Sequence, residues 1–217
     1  VRVELGGRHR AVRVHVPRGE QVVPAHAHHR QLGVHAHEVH VPRVDAAGAQ
    51  ELLGGHVASR DPGLMARVRD WRTLAGGILG THEAWLIHRG LETLEVRFAR
   101  MCASALAVAE LAAGHPAVHA VAYPGLPDHP DAAIVARQMT AAGGVVGLEF
   151  ADAAAAERFI GAAAYVVAQT SFGGTHTAAE RRARWGDDVP DGFVRLSVGV
   201  EPTAELLADL ERAMTAA

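Results

Sequence analysis

Between Phe193 and Glu201 the chain alternates strictly, with Val194, Leu196, Val198 and Val200 on one side of an extended strand and Phe193, Arg195, Ser197 and Gly199 on the other. A strand that is aliphatic on one side needs a layer to cover it, so at least a sheet with helices or a second sheet packed on it is required. The opposite side carries one permanent cation flanked by small residues. A guanidinium in such a place can grip a carboxylate with two parallel hydrogen bonds. The alternative is a solvated or salt-bridged strand arginine, and the strand taken alone favours that alternative.

The totals exclude several classes of function. The chain has 217 residues, 49% of them apolar, enough for a real core in one domain or one and a half. Its formal charge of −3 comes from mixed signs, which leaves no electrostatic footprint for nucleic acid. The single Cys102 excludes an internal disulfide and fits a reducing cytoplasm, the expected location. No apolar run is long enough to span a membrane, and no signal peptide is recognisable at the start. Lysine and asparagine are absent throughout, which suggests a GC-rich source; apart from histidine, every basic side chain is arginine.

Residues 1–50 read differently from the rest. His9, His15, His26, His28, His29, His35, His37 and His40 lie here, eight of the 15 histidines. The alternation in Val34-His35-Ala36-His37-Glu38-Val39-His40-Val41 would put His35 and His37 on one strand face, and His26, His28 and His29 could complete a transition-metal site across a turn. The segment has no cysteine, and Glu20, Glu38 and Asp45 show no recognisable ligand spacing, so no residue is assigned to a metal. The favoured reading is a weakly ordered or out-of-frame segment with little apolar area to offset chain entropy.

From residue 51 the pattern becomes regular. Leu52 to Ser59 suggests a strand. Asp61 is placed to cap a helix with Pro62 at its first position and with Leu64, Val68 and Trp71 on its core side. Gly76, Gly77 and Gly80 break the chain as a hinge. Gly90 interrupts the next helix, and Thr93 is placed to cap a long one that carries Leu94, Phe98, Met101, Ala105 and Val108 and ends at Gly114. Four short strands then alternate with helices, at Val118 to Tyr123, Val145 to Phe150, Tyr165 to Gln169 and the Arg195 stretch. Thr177-Ala178-Ala179-Glu180 reads as a capping box opening a helix whose exposed side carries Arg181, Arg182 and Arg184. His129, among prolines and with no placed carboxylate, reads as a surface turn residue. Leu206, Leu207, Leu210 and Met214 mark an amphipathic last helix.

Several stretches in combination resemble the cystathionine gamma-lyase and gamma-synthase family of pyridoxal-phosphate (PLP) enzymes of cysteine and methionine metabolism. They are Leu53-Gly54-Gly55, Arg89-Gly90-Leu91-Glu92-Thr93-Leu94, Tyr123-Pro124-Gly125-Leu126-Pro127-Asp128-His129-Pro130, Gln169-Thr170-Ser171-Phe172-Gly173-Gly174 and the Arg195 strand. The resemblance covers about Glu51 to Met214 and looks closest to actinobacterial gamma-lyase-like sequences. It implies the C-terminal part of a fold type I enzyme. Residues 51–82 would end the large PLP-binding domain, and residues 83–217 would form a small α/β domain with a mostly antiparallel sheet, helices on one side and a long linking helix. It implies that Arg195 holds the substrate's α-carboxylate and that Ser171 lies beside substrate and cofactor, with a small sulfur amino acid as substrate, pyridoxal 5′-phosphate as cofactor and a homotetramer as the usual assembly. The family's cofactor-bearing lysine falls just before Leu53-Gly54-Gly55, where Arg43 to Gln50 stand instead. With no lysine present, no catalytic residue is assigned, and covalent cofactor binding is not expected of this chain. The alternatives are a non-catalytic binding or oligomerisation module, or a synthase or methionine-degrading activity in the full-length form.

Overall fold

The computed structural model describes residues 57 and 59–217. The histidine-rich segment and most of the strand expected at Leu52 to Ser59 lie outside the described residues. Asp61 caps the first helix, α1 (Pro62–Ala75), by accepting from the backbone N–H groups of Gly63 and Leu64. Gly76, at φ 71°, closes it in the left-handed conformation that glycine adopts without a Cβ penalty. α1 buries none of its residues, and Trp71, expected in the core, is 51% exposed. An apolar stripe is only a capacity for burial, and it needs a facing element.

α2 (Thr81–Leu91) and α3 (Leu94–Ala113) follow. α2 runs one residue past Gly90. Thr93 begins α3 without a side-chain capping bond. Its hydroxyl instead accepts from Arg97 Nε at 3.1 Å, and Arg97 Nη2 reaches the Gly90 carbonyl at 2.8 Å, so the α2–α3 corner is tied by an arginine. Met101, Ala105 and Val108 are buried on the expected stripe of α3, whereas Phe98 is 40% exposed. No helix among the described residues is long and apolar enough to cross a membrane.

Among the described residues five strands, not four, form one sheet in the order β1-β2-β5-β4-β3. They are β1 (Ala120–Ala122), β2 (Val145–Glu149), β3 (Val167–Ala168), β4 (Ala178–Arg181) and β5 (Phe193–Ser197). All neighbours are antiparallel except β3 and β4. The extra strand is β4, where the capping box predicts a helix. Thr177 does not cap. Its hydroxyl donates to Glu201 at 2.8 Å and accepts from the Gly199 N–H at 3.0 Å. Ala178 to Arg181 then pair with β5, and only Arg182–Trp185 form a short 3-10 helix. Ladder pairing in the middle of a sheet outweighs the helix preference of an Ala-Ala-Glu-Arg run.

Register separates the two sheet faces. Val146 and Leu148 on β2 stand opposite Leu196 and Val194 on β5, and Ala179 on β4 also faces Leu196. These join buried residues of α3, of α5 (Ala153–Ala162) and of α6 (Thr203–Thr215) in one core, in which the rings of Phe150 and Phe159 lie 4.8 Å apart. Asp152 caps α5 through Ala155 N at 2.8 Å. Asp209, 1% exposed on α6, accepts from the backbone N–H groups of Ala164 and Tyr165 and so ties the end of α5 to the last helix. Between β1 and β2, α4 (Ala132–Gln138) follows the proline-rich turn, in which His129 Nδ1 accepts from Asp131 N at 3.2 Å.

Candidate functional site

The face of β5 away from the helical core carries Phe193, Arg195 and Ser197, as the alternation requires. It is not open as the strand suggests, for Arg195 is 7% exposed and Ser197 2%. The cover is the segment from Gln169 to Thr177, which leaves β3, crosses β5 and enters β4. Its attachment is polar. The Gly173 N–H donates to Ser197 Oγ at 2.9 Å, and the Val200 N–H to the Thr175 carbonyl at 2.9 Å. Thr177 bonds Glu201 through both its N–H and its hydroxyl. Gly173 has φ 79°, a conformation that makes glycine necessary at this point in the crossing.

Arg195 points into this crossing. Its Nη2 donates to the Thr170 carbonyl, and its guanidinium carbon lies 4.7 Å from the centre of the Phe172 ring. Ser171, half-buried, sits in the chain between those two contacts, so the fold brings Ser171 and Arg195 into one locality. Along the sheet, Arg195 stands opposite Gly147 on β2 and Glu180 on β4. Its Nη2 is 3.7 Å from Glu180 Oε2, so an acidic neighbour is present, although beyond hydrogen-bond distance.

Glu180 anchors a cluster that the sequence reading misplaces on an exposed helix. Its side chain is fully buried. It accepts from Arg182 Nη1 at 2.8 Å, Arg184 Nη2 at 2.9 Å and Trp185 Nε1 at 2.6 Å. Arg182 Nε also donates to Asp187 at 2.7 Å. Burial pulls the Arg182 guanidinium down, but the bonds to Asp187 and Glu180 outweigh it and hold it above its ordinary value. Arg181 pairs with Glu157 of α5 at 2.9 Å. The three arginines are thus committed to carboxylates, and no solvated cationic helix face exists here. The cluster's own bonded partners lie within five residues of one another, but its place beside Arg195 left no local signal, because Glu180 and Arg195 meet only through strand pairing. Ser197 was legible as sharing the Arg195 face, whereas Glu201 carried no signal of its own.

Comparison with known proteins places this geometry. The family model described as Cys/Met metabolism PLP-dependent enzyme matches residues 46–215. A protein of Streptomyces coelicolor named "Putative cystathionine gamma-lyase" is 47% identical over 176 residues, 78% of this chain and 45% of that protein. Cystathionine gamma-synthase of Mycobacterium tuberculosis is 39% identical over 176 residues, 77% of this chain and 45% of its own length. The crystal structure of an apo methionine gamma lyase from Micromonospora echinospora superposes with a TM-score of 0.74 at 38% identity, covering 79% of this chain and 46% of that one. The chain spans less than half the length of each of the three. With a matched family model over most of its residues and the same α/β fold, the chain belongs to the Cys/Met metabolism PLP-dependent enzyme family.

Proposed function

We propose that this chain is the substrate-carboxylate side of a PLP-dependent carbon–sulfur lyase of the cystathionine gamma-lyase type, acting on a small sulfur amino acid in trans-sulfuration. The observation that carries the reading is the placement of Arg195, buried on the polar face of β5 and aimed at the Thr170–Phe172 crossing. A guanidinium removed from bulk water attracts an anion more strongly than an exposed one, and its fork matches the two oxygens of a carboxylate. Ser171 supplies a hydroxyl next to the carbonyl that Arg195 engages, placed to orient the bound amino acid. The greater identity to the gamma-lyase-named relative, 47% against 39% for the synthase, favours elimination over replacement chemistry.

Pyridoxal phosphate, where bound, supplies the electron sink for carbanion chemistry. Covalent attachment needs a side-chain amine, and this sequence contains no lysine to provide one. Arginine does not substitute, because its guanidinium stays protonated. The residues here therefore fit the substrate's carboxylate and not the cofactor's covalent anchor. In our reading residues 51–82 are the end of the cofactor-binding domain, the assembly is a cytoplasmic homo-oligomer, and this chain alone is inactive.

The test is a titration of the chain with L-methionine against methioninol, which has the same side chain and amine without the carboxylate. Binding of L-methionine in preference to methioninol, lost in Arg195→Ala, is the expected result. Equal affinity for the two, or discrimination that survives Arg195→Ala, removes the carboxylate assignment and leaves a non-catalytic module of the same fold.

A further inference from the structure

We propose that Glu180 is the positioning residue for Arg195, holding its guanidinium at a fixed angle without closing a bidentate pair with it. This rests on the reading of Arg195 as a carboxylate-binding group.

Three of the contacts of Arg195 bear on its pose, and each constrains a different degree of freedom. The Phe172 ring under the guanidinium sets the plane of the fork. The Thr170 carbonyl sets how far the side chain extends along the crossing. Rotation within the plane is set from the side, by whatever stands next to Arg195 across the sheet. On the β2 side that neighbour is Gly147, which offers no side chain, and the ring of Phe193 comes within 2.9 Å of where a Cβ on Gly147 would stand. On the β4 side it is Glu180, the direct register partner and the nearer source of charge.

The distances show how the carboxylate is shared. Glu180 Oε2 is 2.8 Å from Arg182 and 3.7 Å from Arg195, while Oε1 is bonded by Arg184 at 2.9 Å and Trp185 at 2.6 Å. Both oxygens are pinned by groups other than Arg195. A carboxylate so held cannot swing to close a bidentate pair with Arg195, the geometry that would compete with a ligand for the same fork. Its field still orients the guanidinium, because attraction between charges in a buried site falls off only slowly with distance. Arg182, Arg184 and Trp185 thus serve Arg195 indirectly, by fixing Glu180.

The experiment uses the full chain with labelled arginine side chains and two readouts. These are the preference for L-methionine over methioninol and the rotation rate of the Arg195 guanidinium, followed by NMR. Glu180→Gln should lower L-methionine affinity about tenfold, the scale on which losing one charge-assisted contact is read, and should speed Arg195 rotation. Trp185→Phe removes a single donor at a residue that is 60% exposed, so it keeps the fold and serves as the readout if Glu180→Gln unfolds the chain. It should lower L-methionine affinity about threefold, with a smaller rise in rotation rate. A merely structural role would change unfolding midpoints and leave the methioninol comparison and the rotation rate where they are. Wild-type affinity and rotation in both variants overturn the proposal while the carboxylate assignment stands. If the wild type fails to discriminate the two ligands, the carboxylate assignment falls. The rotation rate of Trp185→Phe then decides whether Glu180 orients Arg195, faster rotation supporting it and an unchanged rate overturning it.

Discussion

Leu196 and Arg195 are neighbours on β5 and almost equally buried, at 0% and 7% exposure, but they are buried by different means. Leu196 meets Val146 on β2, Ala179 on β4 and the helical layer, where removal of apolar area from water supplies the stabilisation and direction matters little. Arg195 is covered by a chain crossing that offers a carbonyl and an aromatic face and is held in place by Ser197, Thr177 and Glu201. The apolar side tolerates approximate fit. The polar side depends on each donor and acceptor finding its partner, since a buried group left unmatched costs more than a matched one contributes. That difference is what lets one face be structural and, in our proposal, the other be a site.

The comparison can be broken first on the apolar side. Leu196→Ala leaves a cavity in the core and should lower unfolding free energy by about 4 kcal/mol in urea titration; a loss below about 1 kcal/mol would mean that the two layers are not packed as described. On the polar side, Arg182→Met leaves Glu180 and Asp187 without the cation between them and should cost about 3 kcal/mol, with little dependence on salt because the group is buried. A cost that vanishes in high salt would instead class this cluster with surface pairs. Thr177→Val preserves shape and deletes the hydroxyl that joins Glu201 to Gly199, so it should cost about 1–2 kcal/mol and loosen the crossing over Arg195, seen as faster amide exchange at Gly173 to Thr177.

The smallest effect concerns a residue that belongs to both regimes. Tyr123 packs its ring in the core, and its hydroxyl donates to the carbonyls of Gly143 at 2.9 Å and Cys102 at 3.3 Å. Burial, followed by the nearby Cys102 thiol, pushes its hydroxyl up from 10.0 to about 12. The folded state therefore favours the neutral phenol. Its contribution is complete below pH 10 and is lost as pH rises through about 12. Tyr123→Phe should cost about 1 kcal/mol at neutral pH and remove this part of the alkaline decline in stability, measured as unfolding midpoint against pH.

Alternation in Phe193 to Gly199 was enough to assign a strand and to separate its two faces. Asp61 was readable as a helix cap because a cap is local, with acceptor and donors a few residues apart. Trp71 was misread because a stripe does not say whether anything faces it. The run from Thr177 to Arg184 was misread because its residues favour a helix in isolation, while β5, distant in sequence, offers a ladder. By itself, then, the sequence determined the period of β5 and of α3, the cap at Asp61, the family to which the segments belong and the absence of any lysine. Only the tertiary structure decided that Glu180 stands beside Arg195, that Arg182 and Arg184 serve that carboxylate and not solvent, and that the Ser171 segment closes over the cation. The pairings made by Arg195 and by the Ser171 segment join residues about 15 to 25 positions apart, through a register fixed by burial of the opposite, aliphatic face, while Arg182 and Arg184 meet Glu180 locally because a strand and a short 3-10 turn replace the expected helix.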